Sequence, residues 1–90
     1  MKNNMDIVSS KNFKKQYKKL SVKIKKNFEE RLGLFEINPF NPILNNHQLR
    51  GEMKNLRSVN ITGDIRAIYE QVDKNTVLFL MIAKHSKLYD

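Results

Sequence analysis

Residues 56–71 read LRSVNITGDIRAIYEQ, from Leu56 to Gln71. Their period is two. Val59 and Ile61 fall in one phase and Ser58, Asn60 and Thr62 in the other, an alternation that predicts a strand with one apolar face. Gly63-Asp64 is a tight-turn pair, and Ile65 to Gln71 is the return strand. Further on, Asp73-Lys74-Asn75 is a second turn, with Asn75 the residue able to take a left-handed conformation. Val77 to Ala83 is an uninterrupted apolar run, predicted as a central strand buried on both faces. The C-terminal half is therefore a three-stranded meander.

Gly51 marks a turn before the hairpin. Asn38-Pro39 and Pro42 break the chain into a loop over 38–46, because proline disfavours the helical conformation in the residue before it. Upstream the period is helical. Ile24, Phe28, Leu32 and Phe35 repeat at four, four and three, so a helix capped by Ser21 runs to about Ile37. Phe13, Tyr17 and Leu20 mark another helix, with Ser9 and Ser10 as candidate N-caps and a corner at Leu20–Val22. Met5 to Val8 is short and partly apolar, and is predicted as a first strand. The fold class is α+β: an N-terminal strand and a two-helix hairpin packed on one side of a twisted, mostly antiparallel sheet.

Ninety residues make one domain, residues 1–90, too small to enclose a large substrate cavity. Without cysteine the core holds by packing alone, and disulfide or cysteine-metal chemistry is excluded. No apolar run approaches the roughly 20 residues that span a bilayer, and MKNNMDIVSS lacks the apolar core of a signal peptide. The expected location is the cytoplasm. Net charge is +8, and it is uneven. Residues 1–31 carry ten basic and three acidic groups, against seven and six in residues 32–90. Lys11 to Lys26 holds eight lysines and no acid, a run that repels itself unless an anion lies nearby. It is either a solvated helix face or a surface for nucleic acid or an acidic protein. Lysines without interleaved aromatics contact phosphate and do not read bases.

The candidate chemistry lies in the near-neutral part. His47 ends the proline-broken loop, and His85 follows the last strand in Lys84-His85-Ser86. Asp64 sits at the hairpin turn, where Asp is also common for local reasons. Arg57 and Arg66 fall on neighbouring predicted strands, and arginine grips phosphate through paired hydrogen bonds. No phosphate-binding glycine loop, nucleophile elbow or metal-ligand spacing is present. Basic charge, two His, one Asp and Arg without metal suit RNA backbone cleavage. The 2′-OH attacks its own phosphodiester, a base takes its proton, an acid protonates the leaving 5′ oxygen, and cations hold the charged phosphorane. Histidine suits the proton work. DNA has no 2′-OH and escapes this route.

The ordered segments H-x-L-x-G (His47, Leu49, Gly51), R-S-x-N-I-x-x-D (Arg57, Ser58, Asn60, Ile61, Asp64) and H-S-x-L-Y (His85, Ser86, Leu88, Tyr89) resemble the RelE/ParE superfamily of bacterial toxins, most closely its YafQ-type branch. The resemblance covers roughly Asp6 to Tyr89. It implies a toxin that enters the ribosomal A site, cuts translated mRNA without metal or other cofactor, and is silenced by a wrapping antitoxin, here expected to be acidic. It places His47, Asp64, His85 and Arg57 at catalytic positions. Lys54, Asn60, Arg66, Lys84 and Tyr89 become substrate-binding candidates. The branch commonly carries an acidic residue and a histidine where this chain has Ser58 and Asn60. Asparagine hydrogen-bonds but moves no proton near neutral pH. ParE-type relatives inhibit DNA gyrase without cutting RNA. Superfamily membership thus leaves a non-catalytic gyrase inhibitor, or a decayed toxin that only binds its antitoxin, as alternatives.

Overall fold

The computed structural model describes residues 5–88. The elements are β1 (Asp6–Ser9), α1 (Lys11–Lys18), α2 (Val22–Ile37), β2 (His47–Gln48), β3 (Leu56–Asn60), β4 (Ile65–Asp73), β5 (Thr76–Lys84) and α3 (His85–Leu88), with 3-10 turns at Pro42–Leu44 and Gly51–Met53. They form a five-stranded mixed sheet in the order β1-β5-β4-β3-β2. The meander and β2 are antiparallel, and only β1 runs parallel to its neighbour, β5.

Both helix starts follow from serine. The Ser10 hydroxyl accepts from the Phe13 N–H at 3.0 Å, and the Ser21 hydroxyl accepts from the Ile24 N–H at 3.2 Å. Each satisfies a backbone donor that the first helical turn leaves unpaired. The helices lay their apolar stripes on one face of the sheet. Phe13, Phe28, Phe35, Leu44, Val59, Ile61, Ala67, Tyr69, Val77, Phe79 and Ile82 are all buried there. Phe79 is the centre, with ring centroids of Phe13, Phe28, Phe35 and Tyr69 at 5.6–5.7 Å. Offset and edge-on rings at this spacing add to plain burial.

Two sequence expectations change. The left-handed residue is Asn45 (φ 45), and among the described residues no other non-glycine has positive φ, so Asn75 does not adopt it. Instead the Asp73 carboxylate accepts from the Asn75 N–H at 2.9 Å and holds that turn. The run 77–83 is buried on one face only: Val77, Phe79 and Ile82 are enclosed, and Leu78, Leu80, Met81 and Ala83 are partly exposed. A bulge explains the broken alternation. Ile68 pairs with Met81 and Tyr69 with Phe79, so Leu80 is the extra residue. Its carbonyl accepts instead from the Ser10 hydroxyl at 3.0 Å and the Asn12 amide at 3.3 Å, joining the start of α1 to the sheet.

Candidate functional site

Register decides which face each candidate occupies. Gln48, Arg57, Tyr69 and Phe79 form one cross-strand row, and Tyr69 and Phe79 lie in the core under the helices. The neighbouring row, His47, Ser58, Ile68 and Met81, therefore belongs to the opposite face, as does the row Asn60, Arg66 and Ala83. An open groove of about 530 Å³ is lined by His47, Gln48, Leu49, Arg50, Met53 and His85. The two histidines, one on the edge strand β2 and the other just after β5, share this groove, both exposed.

His85 is fixed by the hairpin that bears Asp64. The Asp64 carbonyl accepts from the His85 N–H at 2.8 Å. The turn is held by Thr62, whose hydroxyl accepts from the Asp64 and Ile65 N–H groups at 3.2 and 2.9 Å. Asp64 itself is exposed at the turn. Arg66 Nη1 donates to the Thr62 and Gly63 carbonyls at 3.1 and 3.0 Å, which anchors the guanidinium beside the same turn. His47 Nδ1 lies 2.9 Å from the Asn45 carbonyl. Lys54 follows the second 3-10 turn, where its carbonyl accepts from Gln48 Nε2 at 2.6 Å, and Lys84 ends β5; both side chains are exposed. Tyr89 lies outside the described residues.

Ser58 and Asn60 are not on a bare solvent face. Ser58 is fully buried, and Asn60 is half-buried, with an Oδ1 that has no hydrogen-bond partner. Strand alternation alone could not indicate this burial.

Arg57 is the exception among the catalytic candidates. It stands in the core-side row, where its Nε donates to Asn46 Oδ1 at 2.7 Å and its guanidinium lies 5.3 Å from the Phe40 ring centroid. Asn46 also donates to the Pro39 carbonyl at 2.9 Å and to the Tyr69 hydroxyl at 2.8 Å. Burial raises the Tyr69 phenol above its ordinary value, and the Asn46 bond and Arg57 charge pull it partly back. Arg57 thus fastens the proline-broken loop to the core. Asn46 is a structural hub that sequence reasoning missed, and an Asn beside prolines carries no signal that would single it out. Among the described residues no three His, Cys, Asp or Glu side chains gather as a metal site requires.

A helix pair packed on one face of a five-stranded mixed sheet is the architecture of a known class. The chain superposes on YafQ from E. coli strain BL21(DE3) with a TM-score of 0.79 at 20% identity, covering 96% of this chain and 99% of that one. A YoeB/ParE toxin from Agrobacterium tumefaciens gives 0.76 at 16% identity over 90% and 99%. YafQ in the E. coli DinJ-YafQ toxin-antitoxin complex gives 0.78 at 20% identity over 97% and 99%. The fold is that of the RelE/ParE-type toxins. No curated protein sequence matches the chain. The family model for the bacterial toxin of type II toxin-antitoxin systems, YafQ, matches residues 5–90, and the chain belongs to that family.

Proposed function

We propose that this toxin is a ribosome-dependent endoribonuclease that cuts translated mRNA by 2′-OH attack. The observation that carries the reading is the single groove shared by His47 and His85, with Asp64 bound through its backbone to His85. Two imidazoles on one groove supply a base and an acid for the same phosphodiester. The groove is open, as expected of so small a domain, and the ribosome forms its other wall. Arg66 and Lys84, at the ends of β4 and β5 beside the hairpin turn, are the candidate cations for the phosphate, and Arg50 lines the groove itself. Lys54, Asn60 and Tyr89 remain substrate-binding candidates. In this reading Arg57 serves as the loop clamp, through its Nε bond to Asn46.

The lysines of α1 and α2 meet polyanions. They attract rRNA through counterion release and an acidic antitoxin through steering. For the antitoxin, the fitting feature is a second pocket of about 400 Å³. Phe13, Tyr17 and Phe28 line it, and Lys14, Lys18 and Lys25 lie around them. Apolar residues of an acidic segment would fill it. No described helix is long and apolar enough to cross a membrane, which accords with action in the cytoplasm.

Primer extension on cellular mRNA after induced expression tests the reading. Wild type should give cleavage stops within coding regions. His85→Ala should reduce them by about 10²–10⁴-fold, and the double variant His47→Ala, His85→Ala should abolish them. Growth arrest by the double variant with intact mRNA would overturn the nuclease reading in favour of inhibition by docking, as in gyrase poisoning. Absence of arrest by the wild type would leave only antitoxin binding.

A further inference from the structure

Two histidines on one groove do not by themselves say which accepts the 2′-OH proton. The hydrogen bond of His47 says which of its own ring nitrogens could. Its Nδ1 lies 2.9 Å from the Asn45 carbonyl oxygen. A carbonyl only accepts, so Nδ1 carries the hydrogen, and the lone pair of the neutral ring is on Nε2. Nε2 lies across the ring from Nδ1, and the exposed His47 is among the residues that line the groove.

The carbonyl that imposes this tautomer is itself held in place. Asn45 has φ 45 and ψ 47, and its N–H donates to the Pro42 carbonyl at 3.2 Å. This left-handed conformation is one that Asn tolerates better than most residues. The next residue, Asn46, makes three side-chain hydrogen bonds, to Pro39, Tyr69 and Arg57. Tyr69 is 1% exposed and packs edge-on against Phe35 at 5.0 Å, so the clamp reaches the rigid core. The backbone just before His47 is fixed by one residue's conformation and the next residue's side chain.

We propose that Asn45 and Asn46 are positioning residues that hold His47 in the Nδ1–H tautomer and present its Nε2 to the groove as the proton acceptor. The chemistry rests on the nuclease reading above. Nε2 takes the 2′-OH proton as the 2′ oxygen bonds to phosphorus. The P–O5′ bond then breaks with its electron pair on O5′, which takes a proton from the His85 imidazolium. The products are a 2′,3′-cyclic phosphate and a 5′-hydroxyl, with His47 left as imidazolium. The Asn45 carbonyl stabilises that cation, since its hydrogen bond from Nδ1 strengthens as the ring becomes charged.

The test reads the tautomer directly. Long-range ¹H–¹⁵N correlation on the isolated toxin, above the histidine titration range, should give His47 a protonated Nδ1 and an unprotonated Nε2. Asn45→Gly, which allows positive φ and keeps the carbonyl, should keep that tautomeric signature. Asn46→Ala should mix the two tautomers and lower mRNA cleavage by about 10²-fold, the scale of a misplaced catalytic group. Asn45→Val should do the same, and it carries the test if Asn46→Ala does not fold. A protonated Nε2 in the wild type would overturn the proposal, as would wild-type tautomer and rate in both disruptive variants. The expected tautomer in a protein that cuts no RNA would refute the nuclease reading and leave the positioning of His47 standing.

Discussion

Replacing Arg57 with methionine separates two roles that a sequence motif cannot. The side chain keeps its apolar stem and loses its charge. In the structure the change removes the Nε hydrogen bond to Asn46 and the stacking over Phe40. A hydrogen bond to a charged group contributes about 1.5–3 kcal/mol, and a cation over an exposed ring about 0.5–1 kcal/mol. The expected loss is therefore about 2–4 kcal/mol, nearer the lower figure because Arg57 is only half-buried. A chain of this length has roughly 5–13 kcal/mol of stability in all. In a domain of this size each kcal/mol moves Tm by about 4–8 °C, so Tm should fall by at least about 8 °C. Urea unfolding followed by circular dichroism measures this loss. A parallel titration with single-stranded RNA at several salt concentrations counts phosphate contacts, each worth about 0.7 in the slope of log K against log salt. Arg57→Met should leave that slope unchanged. A slope reduced by about 0.7 with stability within about 0.5 kcal/mol of wild type would refute the clamp and return Arg57 to the phosphate.

Phe79→Ala removes the ring shared by four aromatic neighbours and should cost about 3–5 kcal/mol in urea unfolding. A loss under about 1.5 kcal/mol would mean the core collapses around the gap. Gly51 has φ 67, and an added Cβ would meet nothing within 4 Å, so Gly51→Ala should cost only the backbone term of about 1–2 kcal/mol. Gly63 also has room for a Cβ and lacks positive φ, so Gly63→Ala should be neutral or stabilising by up to about 1 kcal/mol in the same assay. Burial raises the Tyr69 phenol, so its contribution to stability is complete below the unfolded value of 10.0 and is lost as pH rises through the folded value. Tyr69→Phe should flatten this alkaline fall in a pH series of unfolding curves.

The sequence reading succeeded where periodicity was long. Ser10, Ser21, the Phe13 and Phe28 stripes and the 56–71 hairpin all stand where capping and alternation put them. It lost detail where an element is too short to have a period. His47–Gln48 is a strand of two residues, defined only by its pairing with Arg57 and Ser58, and the four residues of α3 show no repeat. Strand parity should have assigned Arg57 to the apolar phase of Val59 and Ile61. The motif spacing drew it instead to the phosphate. The meeting of His47 and His85 is a property of the folded sheet, because 37 intervening residues separate them in the chain. Their tautomeric and hydrogen-bonding state is invisible in a string of letters.

The parallel pairing of β1 with β5 has a consequence for synthesis. Asp6–Ser9 lie against Thr76–Phe79, and α1 is sewn to the Leu80 bulge, so the first elements translated find their partner only when the last strand emerges. Until then Phe13, Phe28 and Phe35 have no β5 to cover them. Contacts between such distant segments form slowly, because loop closure must come first. The β3–β5 meander can fold locally, and the N-terminal third closes over it. An incomplete chain therefore lacks the scaffold for its own helices.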